Sequence, residues 1–428
     1  MTNGGVALLV QGPAGDVAEY SEGMAVVEHA VPFTSHTVVK AASVAKQFTA
    51  RLALLAADDG RLDLDDELAT WVPDVPSAAH VRLIELMHHT SGIRDAETML
   101  ALMGLREYDY LTRTDVVALL SRQETCMFAP GTRFSYSNSN YILLGMVVER
   151  AFDETLAEVA DRLLFSPAGL SDTGVLSRPD QVVARLAHSY AEVDGMPMRA
   201  DRPTTIPGGS ALFTSVSDLA SWHRGETRRE PANPALRRLL HEPGRLADGS
   251  STGYGAGLFV ERDGGGTGWF NHAGHEQGYS AQAVWSDAGH LIVCTTNRSD
   301  TDAAHVAGAA ELALRSGGTP HEALARGLRA VGSADDDVDP VDAAPKTVTE
   351  ASGWLGEYRC RHLPLPLRLD LDDGALALRR GSATDLLTVD GNDFAGPGYR
   401  LTLGTGRSFT ISLPRAGDLE FVRVGAEV

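Results

Sequence analysis

The 428-residue chain has no apolar run near the roughly 18 residues that a membrane-spanning helix needs, so no membrane partner is expected. It has no surplus of positive charge. Lys+Arg total 37 against 57 Asp+Glu, a formal net charge of −20 at pH 7. That balance disfavours nucleic acid as the main ligand, because phosphate binding needs a cationic face. Cysteine is scarce. Cys126, Cys294 and Cys360 are widely spaced and odd in number, which excludes a disulfide scaffold and a CxxC metal site. Residues 1–15 show no basic segment ahead of an apolar one, and with the cysteine usage this gives a cytoplasmic location as the expectation. Lysine is the scarcest charged residue: Lys40, Lys46 and Lys346 are the only three. Arginine serves nearly everywhere a surface cation is wanted. A lysine kept in such a chain points to something arginine cannot do, such as giving up its proton.

What is present is a globular composition, 43% hydrophobic and 22% charged. Residues 331–347 are acidic, contain Pro340 and Pro345, and lack an apolar period, so they read as a linker between residues 1–330 and 348–428. In the first part, Val6–Gln11 and Val17–Val27 read as strands, and a helix is expected at about 44–59, with Phe48, Leu52 and Leu55 on one face. Residues 62–222 look mostly helical, with candidate helices at Ile84–His89, Thr114–Ser121, Tyr141–Phe152 and Leu156–Leu164. Strands return at Gly255–Arg262, Trp269–His272, Tyr279–Ser286 and His290–Thr295, and a last helix spans about 302–315. This is an α/β pattern: a sheet completed by both ends of the segment, with a helical lobe inserted and a cleft between them as the expected site. Residues 348–428 read as short strands with recurrent turns, a small all-β barrel or sandwich.

Three motifs could carry chemistry. The first is Ser43-Val44-Ala45-Lys46 at the mouth of the first helix. The plainer alternative makes Ser43 an N-cap. A capping box, however, wants Glu or Gln where Lys46 stands, and a cation there opposes the helix dipole. Residues three apart share a helix face, so the amine can approach the hydroxyl, and the apolar neighbours Val44, Ala45 and Phe48 would favour the neutral amine. That makes a nucleophile and its base. The second is Tyr136-Ser137-Asn138, following Pro130-Gly131. Here Tyr136 is either a loop aromatic or a proton carrier beside Ser43, and Asn138 or Ser139 could cap the helix at 141–152. The third is His272-Ala273-Gly274, with His275 next to it. A strand-edge histidine or a His272–His275 metal pair are its alternatives, the latter without the carboxylate or cysteine cluster a metal site usually has. No Gly-x-Ser-x-Gly elbow, phosphate loop or His-Glu-x-x-His occurs.

In this order the motifs resemble the serine β-lactamase and penicillin-binding-protein-like superfamily, within it the branch of class C β-lactamases, esterases and D-stereospecific aminopeptidases. Supporting stretches are Leu62-Asp63-Leu64-Asp65-Asp66, His89-Thr90-Ser91-Gly92-Ile93 and Gly208-Gly209-Ser210 before Ser217-Asp218-Leu219. The resemblance spans about residues 5–315, and Leu355-Gly356-Glu357-Tyr358 onward is similar to the lipocalin-like β-domain that follows this module in relatives. It implies an antiparallel sheet flanked by helices with an inserted helical lobe, followed by the small barrel.

The resemblance also implies roles. Ser43 would form an acyl-enzyme, Lys46 and Tyr136 would manage its proton, and Asn138, His272, Ala273 and Gly274 would hold the network or the substrate. Backbone amides of Ser43 and His275 would bind the oxyanion. No cofactor and no metal are implied. Where relatives have Lys-Thr-Gly, His272 and Ala273 lack the cation and the hydroxyl that receive a substrate carboxylate, which weakens the case for β-lactam or D-Ala-D-Ala substrates. The leading expectation is a hydrolase of an ester or amide, with a small-molecule or peptide-like acyl substrate and D-residues included. The alternatives are an acyltransferase or cyclising thioesterase using the same acyl-enzyme, and a catalytically silent binding protein. Assembly into a homo-oligomer is left open.

Overall fold

The computed structural model describes residues 4–105, 109, 111–201, 205–225, 230–332, 354–372, 374–381, 383–390, 393–404 and 408–425. Of the linker 331–347 only residues 331 and 332 are among them, and Asp373, Gly391, Asn392, Thr405 and Gly406, expected in turns, lie outside.

Six antiparallel strands form the main sheet, in the spatial order Phe259–Arg262, Gly268–Glu276, Tyr279–Ser286, Leu291–Thr296, Val6–Gln11 and Val17–Glu22. The first strand pairs with the last of the C-terminal group, Leu8 opposite Cys294, so the sheet is completed from both ends of the segment. Alternation along Val6–Val10 sends Val6, Leu8 and Val10 into one core, under the helices Ala303–Arg315 and Pro320–Leu328. Ala7 and Leu9 point into the larger core on the opposite side. Both faces are buried, which is why this strand is apolar throughout.

The larger core is built on the helix Ala45–Asp58. Phe48, Leu52 and Leu55 are buried as the periodicity predicts, but so is every residue from Ala45 to Ala56. A helix covered all round cannot show one apolar stripe; of its polar members Lys46, Thr49 and Arg51 are held by neighbours, while Gln47 Nε2 is buried with no hydrogen-bond partner among the described residues. The helices Asn138–Phe152 and Val216–Arg224 belong to the same layer. Several expected elements shift. Val17–Val27 is interrupted at Gly23 into Val17–Glu22 and Met24–Val26. Gly255–Arg262 keeps only Phe259–Arg262 as strand, and a hairpin, Tyr190–Val193 with Met196–Arg199, occurs where helix was expected.

Residues 356–423 form one nine-stranded sheet, each described pair of neighbours antiparallel, that curls into a nearly closed barrel. Its interior is filled by side chains, among them Tyr358, Leu369, Leu378, Leu401, Phe409, Ile411 and Phe421, with Phe409 stacked on Phe421 at 4.9 Å. The barrel docks on the helical side of the first part. Gln123 Nε2 donates to the His362 carbonyl at 3.1 Å, Arg361 pairs with Glu124 at 2.9 Å, and Arg380 reaches the Ala101 carbonyl.

Candidate active site

Ser43 sits in a 3-10 turn, Ala42–Val44, between the short strand Val39–Lys40 and the helix Ala45–Asp58. The helix cap position is Val44, and no side chain caps it, so Ser43 is not the N-cap that its position suggested. Its hydroxyl is left for other work. Ala42 has φ +43°, a left-handed conformation that costs a non-glycine residue roughly 1–2 kcal/mol. Strain of this kind is kept where the surroundings need one geometry.

Lys46 is fully buried one turn in. Its Nζ donates to Ser43 Oγ at 2.8 Å, to Asn138 Oδ1 at 2.9 Å and to the Gly209 carbonyl at 2.7 Å. Three acceptors around three N–H directions leave no donor of the amine unsatisfied. The chain brings Gly209 there because Gly208 can sit at φ +106° and pass so close to the helix that a Cβ would lie 2.3 Å from the Tyr141 carbonyl. Thr49 Oγ1 fixes the same loop through the Gly208 carbonyl at 2.8 Å.

Asn138 begins the helix Asn138–Phe152 and does not cap it. The cap position is Ser137, without a side-chain capping bond, so the caps expected at Asn138 or Ser139 are not formed. Asn138 is held on three sides. Its backbone N–H donates to Asp95 Oδ2 at 2.6 Å, its Nδ2 to Glu97 Oε2 at 3.0 Å, and its Oδ1 faces Lys46.

Tyr136 is half-buried and packs on aromatic and cationic neighbours. His89 is 4.3 Å away between ring centroids, Lys46 Nζ lies 5.1 Å from its ring centre, and the Arg415 guanidinium, from the barrel, 5.0 Å. His89 fixes the segment that carries it. The His89 carbonyl accepts from Ser135 N at 2.9 Å and its Nδ1 from Ser137 N at 3.2 Å. Nδ1 is therefore an acceptor and the neutral ring carries its proton on Nε2. Complete burial and the nearby charge of Lys46 hold His89 neutral, well below an ordinary histidine pKa.

On the opposite wall, Gly274 lies so close to the Ser43 turn that a Cβ would sit 2.0 Å from the Ala41 carbonyl and 3.2 Å from Ser43 N. Only glycine lets this strand run there. His272 is buried with Nε2 3.1 Å from the Tyr254 hydroxyl, and its Nδ1–H donates to the Ala273 carbonyl at 2.6 Å. Burial, aided by Lys46, pushes its pKa down to about 3. The ring is neutral at ordinary pH and supplies no cation. His275 points the other way, pairing with Asp302 at 2.8 Å. The two histidines thus occupy opposite faces of one strand, and the metal pair considered for them is geometrically excluded. Among the described residues no group of three potential metal ligands is found.

Ser43, Lys46, Asn138, Tyr136, His272 and Gly274, from three distant stretches of sequence, therefore converge. Asp95, Glu97, Tyr254 and Arg415 join them without having been anticipated. Asp95 and Glu97 follow the His89-Thr90-Ser91-Gly92 stretch closely enough that its neighbourhood was the available signal. Tyr254 and Arg415 stand in no motif.

A family model described as Beta-lactamase matches residues 1–315. The chain belongs to the beta-lactamase family. The D-aminopeptidase of Brucella anthropi is 27% identical over 393 residues, covering 89% of this chain and 70% of that one. Among solved structures, an octameric penicillin-binding protein homologue from Pyrococcus abyssi superposes with a TM-score of 0.62 at 19% identity, over 99% of this chain and 96% of that one. SurE, also solved with D-Leu, gives 0.60 at 25% identity over 98% and 95%. Both superpositions extend well past the family module, through the terminal barrel. For this beta-lactamase-family chain the mixed fold and the barrel that follows it are thereby established, as is membership of a serine-hydrolase family with D-aminopeptidase relatives.

Proposed function

We propose that the protein hydrolyses an ester or amide through an acyl-enzyme on Ser43, with a D-configured residue on the acyl side. The observation that carries this is the buried Lys46 amine, 2.8 Å from the Ser43 hydroxyl. With Lys46 in its neutral form, its two N–H groups directed at Asn138 Oδ1 and the Gly209 carbonyl and its lone pair turned to Ser43, Ser43 Oγ attacks the carbonyl carbon and passes its proton to Lys46. The negative charge developing on the carbonyl oxygen is met by the backbone N–H groups of Ser43 and His275. Asn138, tied to Asp95 and Glu97, keeps Lys46 aimed at Ser43. Tyr136, packed against Lys46, returns the proton to the leaving oxygen or nitrogen as the old bond breaks. Water, activated by the same pair, then releases the acid. The D-preference is supported by the relative named a D-aminopeptidase.

Intact-protein mass spectrometry tests it, using D-aminoacyl esters and amides, their L-counterparts and a β-lactam. A covalent adduct on the wild type that is lost in Ser43→Ala is expected, formed faster from the D-series. A folded wild type that no probe modifies overturns it in favour of a silent binding protein. Product partition in the presence of added amines separates hydrolysis from transfer.

A further inference from the structure

The strands Ser408–Leu413 and Gly417–Arg423 form a hairpin whose tip, Pro414-Arg415-Ala416, is the part of the barrel that enters the site. The tip is anchored. Ala416 is buried, the Arg415 carbonyl accepts from Asp95 N at 3.0 Å, and the next residue, Gly417, lies against Met127. Asp95 is the residue whose carboxylate holds the Asn138 amide at 2.6 Å. The backbone of the tip is thus fixed to the catalytic scaffold, while its side chain projects over the ring of Tyr136.

The state of that side chain is unusual for so acidic a chain. Arg415 is exposed, and none of the described residues takes a hydrogen bond or ion pair from its guanidinium. The other cations of the neighbourhood are occupied: Lys46 by its three acceptors, Lys40 by Glu276 at 3.2 Å. His272 is neutral and Ala273 has no hydroxyl, so the third motif offers nothing to an anion. A guanidinium fork with open donors, at fixed position, matches a carboxylate in two parallel hydrogen bonds. Its place on Tyr136 sets which half of a substrate it meets. Tyr136 gives its proton to the departing group, so the fork stands beside that group.

We propose that Arg415, supplied by the barrel, binds a carboxylate on the leaving half of the substrate, which makes the preferred substrate a short peptide whose departing amino acid bears a free C-terminal carboxylate. This rests on the acyl-enzyme reading of Ser43. The scissile C–N bond breaks as the Ser43 ester is complete, the amine nitrogen takes the proton from Tyr136, and the amino acid leaves from the Arg415 fork.

The test compares kcat/KM for D-alanyl-glycine and D-alanyl-glycinamide, with D-alanyl 4-nitroanilide reporting acylation independently. Wild type is expected to prefer the free acid by about 10- to 100-fold, the range of one charge-assisted contact, and to do so through KM. Arg415→Gln should abolish that preference, and Arg415→Lys should keep part of it. Equal use of acid and amide by wild type overturns the proposal, as does an Arg415→Gln that lowers both alike, which would make the residue mere packing for Tyr136. In either case nitroanilide turnover leaves the hydrolase reading standing. If folded wild type accepts none of the three probes, that reading falls and this one with it.

Discussion

Lys46 is the residue on which the chemistry turns, because a buried lysine must be matched by partners or it destabilises the fold. Its matches are Ser43 Oγ, Asn138 Oδ1 and the Gly209 carbonyl, and two of these belong to the site proposed here. Lys46→Ala removes the base and leaves Asn138 and Gly209 with an acceptor each and no donor. Acylation by an activated D-aminoacyl ester, followed by stopped-flow or mass spectrometry, is expected to slow by about 10²- to 10⁴-fold, the usual reach of a positioned general base. The circular dichroism spectrum should keep its native form. Wild-type acylation rates in that variant would remove Lys46 from the mechanism. At this scale the sequence was most informative: with three lysines in the chain, a serine three residues ahead of one at a helix mouth marked the pair, although the capping argument that went with it does not hold, since Val44 and not Ser43 takes the cap position. For Asn138 the local pattern offered only a cap and the family resemblance a place in the network, because nothing local says that a helix begins three residues before its apolar pattern does.

Between elements, the decisive contact is the strand Gly268–Glu276 against the turn Ala42–Val44. The strand can lie there because Gly274 has no side chain to meet the Ala41 carbonyl. Gly274→Ala forces the two apart by enough to relieve a 2.0 Å overlap with backbone, which would disrupt the oxyanion site proposed on the amides of Ser43 and His275. A fall in acylation rate of about 10²-fold or more is expected, in line with the loss of one oxyanion donor. The strand remains secured on its other edge by its pairing with Tyr279–Ser286, so native spectra should persist. An unchanged rate would place the oxyanion site elsewhere. Strands and turns around this contact were legible from period-two patterning, Tyr279–Ser286 to the residue. The strand Gly268–Glu276 was read as ending at His272, since glycine and polar residues lower strand propensity when only the local sequence speaks. The full burial of the helix Ala45–Asp58 was hidden for the converse reason. Its Lys, Gln, Thr and Arg mimic a solvent face, yet all four are buried, and Lys46, Thr49 and Arg51 are held by partners that come from distant stretches.

Three buried histidines, His88, His89 and His272, are kept uncharged, and this gives the stability of the whole molecule a direction in pH. Burial lowers His88 to about 4 and His272 to about 3, and His89 lies well below the ordinary value. Between those values and the 6.5 of a free histidine, the unfolded chain binds protons that the folded chain refuses. Stability is therefore full above about pH 6.5 and falls as the pH drops, with the loss from each group levelling off only near its folded value. His88 is the member farthest from the chemistry, its ring lying against Gly244, and its share alone is on the order of 3 kcal/mol by pH 4. Such a loss is a large fraction of the net stability of a typical domain. Denaturant midpoints measured from pH 8 to pH 4 should decline steeply on the acid side, and His88→Gln should flatten that decline by a part of the His88 share. A wild-type midpoint that does not move between pH 6.5 and pH 4 would mean that these rings take up protons in place. The coupling of barrel to site is the other property of this scale, and it was invisible in the sequence because Pro414-Arg415-Ala416 has no motif and acquires its meaning only when the hairpin tip meets Tyr136. The same tip hangs from Asp95 and its guanidinium lies near enough to oppose protonation of His89, so acid loosening of the helical lobe and release of the barrel tip should occur together.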